Sequence, residues 1–428
     1  MKGPDMELSR RRLLQVALVS AGSAALAACG SGSGSGADAK ELTLWYWGGG
    51  LSDKVVADAV KQFTQTKLKP SVIGGDFKQK LVTTLTGRKF VPDITGVKGE
   101  DIASLLVQAD RFIDLNTLGA DKLASQFVDW KWKQGSTKDG KLIGFPIDIG
   151  PTAMYYRPAD FEKAGLPSKP EDVAAAMSTW DDYYAAGVKM KQANTGASMV
   201  MDIPTIFQMV IGQGTKRFID ESGKFIGDQD HIRNAWDLAI KPIQLGIAAP
   251  QAGESDQFTA ASRGKSPSLF GAAWRGQDLK NALPDDTGNW RVASMPGGPS
   301  NYGGSFLALP RECRNPQLAF QIVTWLLSPE NQGRGFTDAA LFPSSPAAYT
   351  LPALTAPDPY FGGQKTVEVF GEAAQKIPAS YEAPADAAVS APYFDEVLSV
   401  WAKGKNPDTA WADAVSKAKE IAERQGVN

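Results

Sequence analysis

The feature that most constrains this chain is an alternation of short apolar runs and amphipathic segments that starts at Glu41 and holds to Val97. Glu41-Leu42-Thr43-Leu44-Trp45-Tyr46-Trp47 reads as a strand closed by Gly48-Gly49-Gly50. Over residues 54–65, Val55, Val56, Ala59, Val60 and Phe63 recur at helical spacing behind Ser52 or Asp53 as cap. Residues 70–74 predict a second strand, 76–85 a second helix and 92–97 a third, buried strand. Strand, helix, strand, helix, strand in close succession is the pattern of a parallel sheet covered by its crossover helices. In such sheets a ligand crevice opens beyond the carboxyl ends of the strands, here residues 47–50 and 98–101.

The alternation then loosens. Residues 139–148 combine a turn with a strand, and 152–157 continue extended into Pro158. A short helix over 159–164 stops at Gly165, and Thr179-Trp180-Asp181-Asp182 has the form of a capping box opening a helix to about residue 192. Residues 303–309 predict a strand, Asn315-Pro316 a helix with an apolar stripe, and Ser328-Pro329-Glu330 the cap of another. The last helix runs over 406–425, with Trp411, Val415, Ala418, Ile421 and Ala422 facing inward. No internal repeat recurs at a fixed period. At 428 residues the chain is long enough for two cores.

Composition narrows the function. Lys and Arg number 45 against 47 Asp and Glu, so no basic excess marks a nucleic-acid partner. One histidine and two cysteines exclude a multi-His or multi-Cys zinc site, and a histidine-based triad would rest on His231 alone. His231 reads as an exposed helix-start residue. Cys313, between Arg311 and Arg314, reads as an incidental loop thiol, although its arginines would lower its pKa. No metal and no cofactor is expected.

The N-terminus is a targeting device. Ser9-Arg10-Arg11-Arg12-Leu13-Leu14 resembles a twin-arginine export signal, and the apolar stretch behind it is shorter than the ~20 residues of a membrane span. Leu26-Ala27-Ala28-Cys29 resembles the lipobox of bacterial lipoproteins, which makes Cys29 the acylated first residue of the mature chain. Residues 1–28 are then the signal peptide and 29–37, largely Gly and Ser, a flexible tether. The expected location is the extracytoplasmic face of the cell membrane, reached by export and held by lipid.

Four segments in order carry a wider resemblance: Leu42 to Trp47; Pro92-Asp93-Ile94 with Phe112-Ile113-Asp114-Leu115; Asp139-Gly140-Lys141 through Phe145-Pro146 to Met154-Tyr155-Tyr156 and Phe161 to Leu166; and Gly303-Gly304 to Leu309 followed by Asn315 to Ala319 and Leu326 to Glu330. The chain resembles the extracellular solute-binding proteins that serve sugar-importing ABC transporters, the broad family of maltose-binding protein. The resemblance implies an α/β, two-lobed, periplasmic-binding-protein-like fold of type II, each lobe a mixed sheet flanked by helices, with hinge crossovers near 148–151, 299–303 and 342–345. One lobe would take residues 38–149 and 302–343, the other 150–301 and 344–428. It further implies a monomeric, non-catalytic receptor that passes a carbohydrate to the membrane permease subunits of an ABC importer.

A sugar offers hydroxyls at its rim and C–H groups on its faces, so its site mixes short polar side chains with flat aromatics. Trp47, followed by Gly48, is either a first-lobe stacking surface or core; Trp274, after a small-residue strand, falls where relatives place a stacking tryptophan. Glu100 and Asp101 stand at the crevice edge, one of them free to cap the helix behind it. Asp148 lies on the first crossover, Asp76 contacts ligand or only caps its helix, and Asp202 is a second-lobe polar candidate. Gly304 either admits ligand to backbone or is a plain strand glycine, and Tyr393 sits where relatives carry a late aromatic. Asp148 stands two positions earlier than the acidic residue of the maltose-binding pattern, so maltose itself is not implied. The alternatives are the same fold with a polyamine, peptide or metal chelate, and a secreted glycoside hydrolase, for which no carboxylate pair is marked.

Overall fold

A computed structural model describes residues 40–427; the signal, the tether and Cys29 lie outside the described residues. The strands are β1 (Glu41–Tyr46), β2 (Lys67–Val72), β3 (Ile94–Lys98), β4 (Phe145–Ile149), β5 (Thr152–Tyr156), β6 (Ser268–Ala272), β7 (Arg291–Ala293), β8 (Ser305–Ala308) and β9 (Phe342–Pro343). They form two sheets, β2-β1-β3-β8-β4-β9 and β6-β5-β7, one for each of two lobes.

The first sheet starts as the sequence predicts. β1 pairs parallel with both β2 and β3, and Leu42, Leu44 and Tyr46 alternate inward along it. β2 sits three residues earlier than expected because it is an edge strand: only Leu68 is buried, and Pro70 is tolerated where no neighbour needs its missing N–H. β8, β4 and β9 then join antiparallel, making the sheet mixed. One face packs Leu44, Ile94, Phe145 and Leu307 beneath the helices Asp53–Gln62 and Pro316–Leu326. The other packs Val97, Phe306 and Ala308 against Phe77–Gly87 and Gly99–Leu106.

The second sheet departs from the expected mixed form. Both of its pairings are antiparallel, and a parallel bridge between Val200 and Ala248 stands isolated outside the strands. Met154, Tyr156, Phe270 and Ala293 face a large helical layer, while Tyr155, Leu269 and Val292 share a core with Ile149 and Phe342 of the first sheet. That shared core ties the lobes together beside the crossovers.

Helix starts follow the predicted caps. Ser52 accepts the Val55 amide, Thr179 and Asp182 close a full capping box, and Asn315, Ser328 and Asn406 each cap a helix. Pro170–Ala176 is an additional helix between the two that the sequence predicts over 159–164 and from Thr179, because Pro170 at its first position supplies the start. In the last helix, Pro407–Arg424, the buried stripe is Ala410, Ala414, Ala418 and Ala422, with Trp411, Val415 and Ile421 only partly buried beside it. Small residues let the neighbouring helix Asp386–Lys403 approach closely.

Candidate functional site

The crossovers set the geometry. The chain leaves the first sheet at Ile149 and enters the second at Thr152, and residues 300–302 run antiparallel beside it. Thr152 donates its amide to the Ser300 carbonyl (3.1 Å), Tyr302 donates to the Gly150 carbonyl (2.8 Å), and the Asn301 side chain accepts the Gly150 amide (2.9 Å). A β-carbon on Gly150 would lie 1.8 Å from the Tyr302 carbonyl oxygen, so only glycine permits this contact.

Beneath the crossovers lies a buried charge pair. Asp148 is buried in β4; burial pushes its carboxyl up to about 6, while Lys131 and Ser305 pull it back. Its Oδ1 has no hydrogen-bond partner. Lys131, fully buried in the helix Asp129–Gln134, is pushed down to about 8 by burial, opposed by Asp148, Glu382 and Glu100. Its ammonium donates to Gln134 Oε1 (3.1 Å) and sits 3.8 Å from the centre of the Phe306 ring. Gly304, at φ +84°, closes the cluster: a β-carbon there would lie 2.7 Å from the Asp148 carbonyl oxygen and 2.9 Å from Lys131 Nζ. The geometry that requires a glycine at 304 is thus a contact within the protein.

An aromatic pair stands above this floor. Trp274 lies two residues past β6, half-buried at the start of the helix Arg275–Ala282, and its indole N–H donates to the Tyr302 carbonyl at 3.3 Å; the rings of Trp274 and Tyr302 are 5.4 Å apart and tilted by 54°. Behind Trp274 the Arg275 guanidinium lies 5.4 Å from its ring and 5.5 Å from that of Phe258, and is held by Glu254. Asp202 is close by, but its carboxylate is engaged as the cap of the helix Ile203–Gly212, accepting from the Thr205 hydroxyl at 2.8 Å; burial raises its pKa.

Glu100 faces this group from the first lobe. It is exposed in the first turn of Gly99–Leu106, and its charge acts on both Lys131 and Tyr302. Neither Glu100 nor Asp101 caps that helix, whose cap position is Lys98. Glu100 and Ala103 close one side of a cavity of about 160 Å³ whose other walls, from the second lobe, include Gln208, Arg217, Phe218, Glu382, Asp386 and Phe394. Burial raises the Asp386 carboxyl to about 7. Gln134 donates to Glu382 (3.2 Å), which also pairs with Arg217 (3.3 Å), and Lys138 reaches across to the Glu221 carbonyl (2.7 Å). Such a cleft can bind polar, ring-shaped molecules by hydrogen bonds and stacking.

The remaining sequence candidates fall outside this group. Trp47 is half-buried, edge-on to Phe77 at 5.2 Å, with Lys98 5.7 Å from its ring; it packs with the first-lobe core. Gly48 is exposed beside it. Asp76 caps its own helix by accepting the Gln79 amide (2.9 Å), and Asp101 pairs with Lys78 (2.9 Å). Tyr393 corrects the expectation of a late ligand-facing aromatic: it is fully buried among Phe207, Phe218 and Trp411, and its hydroxyl donates to the Gly227 carbonyl at 2.9 Å. His231 is half-buried rather than exposed, bonded to the Arg217 carbonyl. The thiol of Cys313 is the reverse of activated, since burial and then Asp93 push it up to about 12. Among the described residues no group of three or more His, Cys, Asp or Glu is placed to hold a metal ion.

Lys131, Tyr302, Arg275, Arg217 and Glu382 escaped the sequence reading. The one signal available was local: Tyr302 immediately precedes the Gly303-Gly304 pair that marks the crossover.

Comparison with known proteins gives a consistent picture. Residues 54–361 match the family described as bacterial extracellular solute-binding protein. The lactose-binding protein of Rhizobium radiobacter is 24% identical over 377 residues, covering 83% of this chain and 87% of that protein. The arabinooligosaccharide-binding protein of Bacillus subtilis (strain 168) is 26% identical over 309 residues, 67% of this chain and 68% of that protein. Among solved structures, an extracellular solute-binding protein of family 1 superposes with a TM-score of 0.83 at 26% identity, covering 89% of this chain and 99% of that one. The galacto-N-biose-/lacto-N-biose I-binding protein of Bifidobacterium longum shares the fold, with a TM-score of 0.74 at 19% identity over 92% and 99% of the two chains.

Proposed function

We propose, from the fact that this chain belongs to the family of bacterial extracellular solute-binding proteins, that it captures a mono- or oligosaccharide between its lobes and delivers it to an ABC-type importer. The observation that carries this reading is the grouping at the crossovers: the half-buried Trp274–Tyr302 pair on one side and the exposed carboxylate of Glu100, 4.0 Å from the Lys98 ammonium, on the other. The aromatic faces would stack on sugar C–H surfaces, and Glu100 with Gln208, Arg217 and Glu382 would meet the hydroxyls. The lactose-binding and arabinooligosaccharide-binding relatives agree with that chemistry. Lobes of 38–149 with 302–343 and 150–301 with 344–428 would close by bending at the crossovers. In this reading the protein is a monomer without catalytic turnover, exported by the twin-arginine signal and held at the membrane through acylated Cys29, where it meets its permease.

Glu100, Glu382 and Asp386 outnumber Arg217 in the cavity lining, which makes a cationic solute such as a polyamine the second reading. A thermal-shift screen separates the two, because a ligand that binds only the folded state raises its melting temperature. At least one sugar should raise it without release of reducing sugar. A shift with polyamines or peptides and none with sugars removes the carbohydrate reading, and sugar release removes the non-enzyme one.

A further inference from the structure

At the end of the first lobe remote from the crossovers, the loop after the helix Phe77–Gly87 places two non-glycine residues in the left-handed region, Arg88 at φ 50° and Phe90 at φ 57°. That conformation is costly for side chains of this size. No packing offsets it, since Phe90 is 92% exposed. The same end carries the amino ends of β1, β2 and β3 and the carboxyl end of β8, because β8 runs antiparallel to β3. It is knit together by the Lys67 amide donating to the Lys40 carbonyl (2.9 Å), Arg111 donating to the Leu85 carbonyl (2.8 Å), and the Arg311 amide donating to the Arg111 carbonyl (2.8 Å).

The charge of this pole is one-sided. Glu41 is paired with Lys69, Asp93 is buried under Arg314, and Asp110 is paired with Lys141. Lys40, Lys67, Arg88, Lys89 and Arg311 are exposed and have no ion-pair partner among the described residues, against one exposed, unpaired carboxylate, Glu312. The described chain enters the fold here at Lys40, and Cys29 stands eleven residues before it, a reach of at most about 40 Å.

We infer that this pole is a docking surface for an anionic phospholipid bilayer, with Phe90 entering the interface and the surrounding cations held by lipid headgroups. An exposed aromatic ringed by Lys and Arg is the chemistry that partitions to such a surface. The strained loop is what turns Phe90 outward. Taken with the Cys29 anchor proposed above, on which it partly rests, the contact would fix the orientation of the lobe: β strands pointing away from the lipid, the cleft raised above it.

The test uses the full-length protein with vesicles of phosphatidylglycerol or of phosphatidylcholine that contain nitroxide-labelled lipid. An environment-sensitive dye is attached to Phe90→Cys or, at the opposite end of β2, to Val72→Cys. Dye at position 90 should be quenched on phosphatidylglycerol only. That quenching should be lost in the Arg88→Gln/Lys89→Gln background and in about 1 M salt, where the screening length falls to about 3 Å; dye at position 72 should stay unquenched. Equal quenching on both lipids, or none beyond that at position 72, overturns the inference, including in favour of an acidic protein partner. Flotation of the parent with vesicles in the same salt, lost in Cys29→Ser, reads the anchor separately: its failure sinks the anchor while position 90 still decides the pole.

Discussion

Replacing Asp148 by asparagine gives the sharpest energetic prediction, because the side chain is buried, one oxygen is unpartnered, and its nearest formal countercharge, Lys131, is itself buried. Burial raises the carboxyl from 3.8 to about 6, so the folded state holds its proton more tightly than the unfolded chain. The sign follows: the contribution is fully present below about pH 4 and is lost as pH rises through about 6. Each tenfold change in proton affinity is worth about 1.4 kcal/mol, which makes the whole effect about 3 kcal/mol, of which about 2 kcal/mol falls between about pH 4 and pH 6. Asparagine keeps the shape and does not titrate. The stability of Asp148→Asn relative to the parent should therefore rise by about 2 kcal/mol across that window, read from urea unfolding at a series of pH values. Other titrating groups cancel in the difference, including Asp386, whose carboxyl is raised to about 7. A difference that stays flat between those pH values refutes the claim that Asp148 is held in an environment hostile to its charge.

Three further outcomes follow from the site. Trp274→Ala should weaken sugar binding at least tenfold, about 1.4 kcal/mol; calorimetric titration showing unchanged affinity would remove Trp274 from the cleft. Gly304→Ala should cost more than about 1 kcal/mol in urea unfolding, because φ is +84° and the added carbon meets the Asp148 carbonyl. A neutral substitution would contradict the crossover packing. Cys313, buried and with its pKa at about 12, should resist iodoacetamide in the native protein at about pH 8 and react once unfolded; rapid native labelling would show that the thiol is open.

The first sheet was legible because its signals are local: an alternating strand, a capped helix, then the same again, with Ser52 and Asn315 marking starts that the structure keeps. The second sheet was less so. Its strands β5 and β6 are more than a hundred residues apart, and no local pattern states whether such partners run parallel. The same reason hid most of the cleft. Lys131 looks like one surface lysine among many in Asp129-Trp130-Lys131-Trp132-Lys133, and only the packing of Phe306 and Gly304 over it makes it the buried cation beneath the site. Tyr393 misled in the opposite direction, since an amphipathic helix presents an aromatic to core and to cleft with the same spacing. Trp274 and Glu100 stand as candidates on different grounds: the family resemblance places a stacking tryptophan after a small-residue strand, and Glu100 follows β3 at the crevice edge, where chain direction brings a residue towards the cleft.

The most direct test of the account is the structure of the protein with the sugar that most raises its melting temperature. The account predicts a sugar ring lying against the face of Trp274, with hydroxyls within hydrogen-bond distance of Glu100 and of at least one of Gln208, Arg217 and Glu382. A sugar bound away from the crossovers, with Trp274 and Glu100 untouched, would contradict it.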